Sequence, residues 1–184
     1  MAAVRCALAF ILVLVATAFA QAQVVHRKNV PAGDATPDGG SFSIRFPIAY
    51  NDVEVSARDP STSAPATTLF MLTGAENDNI RFSATEASIE GLEVKPMEDF
   101  MSGVKQQSDA AVTDIHRETN GGQEILSFAL NVPGGGYYFR VVRANNVQYM
   151  QVVQFPESAR DKATKMKDDF FASFKIIARA PAGK

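Results

Sequence analysis

Nucleophilic, acid–base and metal chemistry most often runs through histidine, cysteine and clustered carboxylates, and this 184-residue chain holds few of the first two: His26, His116 and Cys6. Cys6 precedes an apolar run from Ala7 to Ala16 within a segment that reads as a secretory signal. Once that segment is removed, no thiol is left for a disulfide, a nucleophile or a thiolate metal site. His116, in "TDIHRET", could serve a Ser-His-Asp arrangement, but no G-x-S-x-G elbow or other nucleophile signature accompanies it. The strand pattern sets His116 with Asp114 and Glu118 on one face, opposite Val112, with Ile115 as the mismatch, which describes a solvated strand histidine. Zinc asks for three or four nitrogen or sulfur ligands, and the folded part offers one such side chain.

Oxygen ligands fare no better. "AENDN" gathers Glu76, Asn77, Asp78 and Asn79, and "GDATPDGG" supplies Asp34 and Asp38, but neither has the spacing of a calcium loop, and turn formation explains both. "PGGGYY" lacks the Lys and Ser or Thr of a phosphate-binding loop and reads as a hairpin turn. Glu124 and Asn120 form no recognisable acid–base couple. No catalytic, cofactor or metal residue is assigned, and no cofactor is expected. The remaining candidates are Tyr137, Tyr138 and Tyr149 on neighbouring strands, which would form a partner surface if exposed and core packing if buried.

The elements that must position these residues follow from periodicity. Residues 1–20 are expected to be a signal peptide, with small-x-small cleavage sites after Ala20 or Ala22 and no later stretch able to span a bilayer. Residues 21–40, punctuated by Pro and Gly, read as a flexible leader whose basic trio His26, Arg27 and Lys28 is solvated. Residues 41–178 form one domain, and 179–184 a disordered tail. "SFSIRFP", "DVEVSA", "TTLFMLTG" and "IRFSATEAS" give strands. In "KPMEDFMSGVKQQSDA", Met97, Phe100, Met101 and Val104 fall at helical spacing behind Pro96, with Glu98 and Asp99 at the positive end. Four strands follow, "AVTDIHRET", "QEILSFALNV", "YYFRVVRA" and "VQYMQVVQFP", separated by "NGG", "PGGG" and "NN" turns. The last strand is apolar on both faces and therefore central, with cover on each side.

The C-terminal stretch "FPESARDKATKMKDDFFASFKI" places Ala159, Ala163, Met166, Phe170 and Phe174 on one helical face, with Phe171 at its edge and charges on the other. Ser158 is the expected N-cap and Asp161 the capping-box acid. A net charge of −2 with 46% hydrophobic and 21% charged residues describes a globular chain without a basic field for nucleic acid.

The order of strands, one helix, a strand meander and a closing helix, carried by "FSIRFP", "GGGYYFRVVRANNVQYMQVVQFP" and "FFASFKI", resembles the PsbP-like superfamily and its Mog-type relatives over residues 41–177. The resemblance implies an α+β protein, an α/β/α sandwich with a central, mostly antiparallel sheet, and a binding or assembly role with no shared catalytic residues. The functional expectation is an exported, non-enzymatic module, periplasmic or extracellular, that binds another envelope or secreted protein. A small hydrolase using His116 and a carrier of a small apolar ligand are the alternatives.

Overall fold

The computed structural model describes residues 21–58, 67–75, 79–89, 96–108 and 110–179; the expected signal segment lies outside them. Eleven strands and two α-helices follow one another among these residues. The strands are β1 (Gln21–Val30), β2 (Gly33–Ala35), β3 (Phe42–Phe46), β4 (Tyr50–Arg58), β5 (Thr67–Ala75), β6 (Arg81–Ser88), β7 (Ala111–Asn120), β8 (Gln123–Val132), β9 (Gly135–Ala144), β10 (Val147–Pro156) and β11 (Lys175–Ile176). The helices are α1 (Met97–Ser108), between β6 and β7, and α2 (Arg160–Ala172), between β10 and β11.

Eight strands make one sheet in the order β1-β4-β5-β6-β10-β9-β8-β7, and β11, β3 and β2 make a second. Every pairing in both is antiparallel. The β7–β10 meander follows from its turns. Gly121 and Gly122, at φ 56° and 79°, and Asn145 and Asn146, at φ 52° and 59°, each supply the two successive positive-φ residues of a two-residue hairpin loop. Pro133 precedes Gly134 at φ 85°, a Pro-Gly pair suited to a tight turn.

Alternation divides the core between the faces of the large sheet. One face buries Phe82, Ala84, Val142, Tyr149, Val153 and Phe155 against β3 of the small sheet and against Ala163 and Phe170 of α2. The other buries Leu126, Phe128, Leu130, Phe139, Val141 and Val152 against Met97, with Phe100 and Met101 packed alongside. The central position and two-faced cover expected for β10 are found, and the helical stripe of α2 packs as its spacing requires. The expected cap at Ser158 does not form: a 3-10 turn, Glu157–Ala159, precedes α2, whose N-cap is Ala159. Arg160 instead grips Glu157 through Nε–Oε1 and Nη2–Oε2 bonds of 2.8 and 2.7 Å.

Two expectations are corrected. The described residues are mostly β, with 59% in strands against 20% in helices, and do not form an α/β/α sandwich. The segment "FSIRFP" does not join the central sheet; it forms β3, whose Phe42, Ile44 and Phe46 point inward beside α2, so a small sheet stands where a sandwich would need more helix. Nor are residues 21–40 a free leader. Gln21–Val30 pairs along β4, and Gly33–Ala35 pairs with β3. Edge pairing through backbone bonds makes little demand on side-chain alternation, which is why the sequence shows no period there.

Candidate functional site

His116 lies on β7, the last strand of the large sheet, directly opposite Ser127 of β8. The same cross-strand row continues through Arg140 of β9 to Gln151 of β10. Strict alternation cannot set His116 on the face opposite Val112, because the two positions have the same parity. A β-bulge between Thr113 and His116, with Asp114 at φ 54°, shifts the phase by one residue. Val112 therefore packs on the α1 side, while His116 and Glu118 pair with Ser127 and Ile125 on the α2 side. His116 is exposed, and no hydrogen bond joins it to Ser127 among the described residues, so the pair lacks the contact that activates a serine.

Deeper along that row, Arg140 donates from Nη1 to the carbonyl of Phe171 at the end of α2, at 3.1 Å, and to Gln151 Oε1 at 3.5 Å. Burial pushes its guanidinium pKa down, opposed by the nearby Glu118 carboxylate. A cation at this end of the helix complements the exposed carbonyls. Gln151 is fully buried and its Nε2 has no protein acceptor.

The three tyrosines do not share an exposed surface. Tyr138 is 9% exposed, stacked on Phe155 at 4.8 Å, with its hydroxyl 2.7 Å from Thr164 Oγ1. Tyr149 is 2% exposed and belongs to the same face. Tyr137 is half-buried on the opposite face, beside Phe139. Exposure falls instead on β7, whose burial pattern is open at every position except Val112. Ile115, carried outward at the bulge, is 45% exposed and is the exposed large hydrophobic residue among those described. Arg117, two residues on, donates from Nε to Glu98 Oε1 of α1 at 2.6 Å.

A polar cluster that sequence reading does not find lies where the two sheets meet. Phe70, Glu86 and Tyr149 form one cross-strand row on β5, β6 and β10. Glu86 is 1% exposed; its Oε2 accepts from the Ser41 backbone N–H at 2.5 Å and its Oε1 from Arg179 Nη2 at 2.7 Å. Ser41 Oγ and the Tyr149 hydroxyl share a hydrogen bond of 2.8 Å. Burial raises the Tyr149 pKa; the Ser41 bond opposes the rise and the Glu86 charge adds to it. Alternation sets Glu86 on the face of Phe82 and Ala84, but a carboxylate there gives no sequence signal of how deep that face lies.

A cleft of about 340 Å³ opens between the β2–β3 end of the small sheet and α2, lined in part by Phe46, Pro47, Met166 and Phe170 with Arg45 and Asp169 at its rim. Of the expected turn acids, Asp34 pairs with Arg45 at 2.8 Å and Asp38 stands in the turn closed by Gly40 N–H to Pro37 O; Glu76, Asn77 and Asp78 lie outside the described residues. Among the described residues no group of three His, Cys, Asp or Glu side chains could hold a metal ion. No helix there is long and apolar enough to cross a membrane.

No family model, no curated protein and no solved structure matches this chain. The resemblance to the PsbP-like superfamily has no support from these comparisons.

Proposed function

We propose that this chain is an exported, non-enzymatic module that binds another envelope or secreted protein, and that the β7 edge is its docking surface. The observation that carries the reading is Ile115, an exposed apolar side chain raised by a bulge and set among Asp114, His116, Arg117 and Glu118. An apolar anchor within a charged rim is the usual composition of a protein interface. The positive φ at Asp114 and the register shift interrupt the free ladder, so the partner meets side chains and does not add a strand. In affinity capture from envelope extract, the wild-type chain retains a saturable partner, and Ile115→Glu weakens that capture about tenfold or more without lowering the melting temperature. Absence of any saturable partner, or capture indifferent to Ile115→Glu, overturns the proposal.

The cleft between the small sheet and α2 supports a second reading, carriage of a small apolar ligand, since its volume lies at the lower end of small-molecule sites. Native mass spectrometry of protein from its own host then shows a co-purified mass that Met166→Trp excludes. Consistently bare protein removes this reading.

A further inference from the structure

The Arg179 guanidinium is met on three sides. Glu86 Oε1 accepts from Nη2 at 2.7 Å, the Gly39 carbonyl accepts from Nη1 at 2.9 Å, and the guanidinium carbon lies 5.5 Å from the centre of the Phe70 ring. The groups that make this receptor are fixed independently of Arg179. Ser41 N–H holds the second carboxylate oxygen, Ser41 Oγ is tied to Tyr149, and the β5–β6–β10 register sets Phe70, Glu86 and Tyr149 in line. Position 40 must be glycine, because a Cβ there would lie 2.4 Å from Pro37 Cγ and 3.2 Å from Glu86 Oε2. The arginine, by contrast, comes from a segment held by little: β11 is two residues long, Ile177 N–H donates to Ser41 O, and the Arg179 side chain itself is 52% exposed.

We infer that the Glu86 pocket is a guanidinium receptor, that Arg179 is its resident ligand, and that it takes an arginine side chain presented by another polypeptide when the C-terminal segment lifts. A carboxylate buried to this degree is costly when unpaired, so the vacated pocket retains a strong demand for a cation. A carboxylate oxygen and a carbonyl that accept from different nitrogens, with an aromatic ring beside them, fit a planar fork better than an ammonium. This site shares no residue with the β7 edge, so either can fail alone.

The full-length Arg179→Ala variant tests the inference, with N-acetyl-arginine amide and N-acetyl-lysine amide as probes in titration calorimetry. Arg179→Ala is expected to bind the arginine compound at least about tenfold more tightly than the lysine compound, and at least about tenfold more tightly than wild type does, since there the site is filled. Adding Glu86→Gln abolishes the binding. Equal affinities for the two probes, or binding that survives Glu86→Gln, overturn the inference. If Arg179→Ala does not fold, hydrogen exchange of the wild-type chain decides. The Ile177 amide must exchange faster than the Ser41 amide, which reports a segment that opens over an intact receptor; equal exchange of both by global unfolding sinks the idea.

Discussion

Beneath α1, Phe128 and Phe139 stack at 4.8 Å with Phe100 edge-on to each, and the buried polar side chain on that face is Thr85, opposite Met150, whose Oγ1 donates to the Met150 carbonyl at 3.4 Å. Beneath α2 and the small sheet, the apolar cluster surrounds the Glu86 carboxylate, the Tyr149 hydroxyl and the Gln151 amide, all fully buried. Dispersion and burial are non-directional, so the first face can tolerate small shifts of its helix. The second cannot, because the buried polar groups fix the segments that satisfy them: the 39–41 turn and the last turn of α2. One face supplies bulk stability, and the other sets where the chain's connecting segments lie.

The strongest test of this contrast is truncation of one aromatic on each face. Phe170, 1% exposed and edge-on to both Phe46 and Phe82, anchors α2, and Phe170→Ala is expected to cost about 3–5 kcal/mol in unfolding free energy. Phe100 is half-buried, and Phe100→Ala should cost about half as much by denaturant titration; equal losses would erase the distinction. Shape-conserving substitutions come next. Met150→Leu beneath α1 should cost less than about 1.5 kcal/mol, whereas Glu86→Gln, nearly isosteric, should cost about 2–3 kcal/mol by stranding Arg179 and weakening the Ser41 bond. A smaller loss for Glu86→Gln than for Met150→Leu would reverse the assignment of the two faces.

The smallest effect is pH-dependent. Burial raises the Tyr149 pKa, and burial with the Asp52 charge raises that of Tyr50, so both folded-state values exceed the unfolded one. Their contribution is intact below the ordinary tyrosine value of about 10 and is lost as pH rises through the folded values. Tyr149→Phe is expected to cost about 1 kcal/mol near neutral pH and to flatten part of the alkaline decline. An unchanged decline would mean that Tyr50 alone produces it.

Much of the fold was legible because it is local. The four meander strands and their turns, the central place of β10, and the Ala163–Met166–Phe170 stripe all follow from period and turn chemistry. The misplaced parts depend on long-range pairing. Nothing within "FSIRFP" says whether it lies in the large sheet or across it, and nothing within residues 21–30 announces β4 as a partner. The candidate sites divide likewise. His116 stands out in the sequence as a lone imidazole, and the bulge at Asp114 that shifts it to the α2 side is a backbone event. Tyr149, a candidate surface residue by sequence, is core, while Glu86, in line with Phe82 and Ala84, meets Arg179 from a segment that local pattern gives as a tail.

The position of β10 also bears on the order of assembly. It joins β9 across a two-residue loop, a contact available within microseconds of chain collapse, yet it joins β6 with Val147 opposite Ser88, after α1, β7, β8 and β9 have intervened. The C-terminal meander can therefore form as one hairpin-built unit and β4–β6 as another, with the β6–β10 seam closing last within the large sheet because its loop entropy is the largest there. Substitutions confined to that seam should speed unfolding more than they slow folding, whereas substitutions in the hairpins, formed earlier, should mainly slow folding.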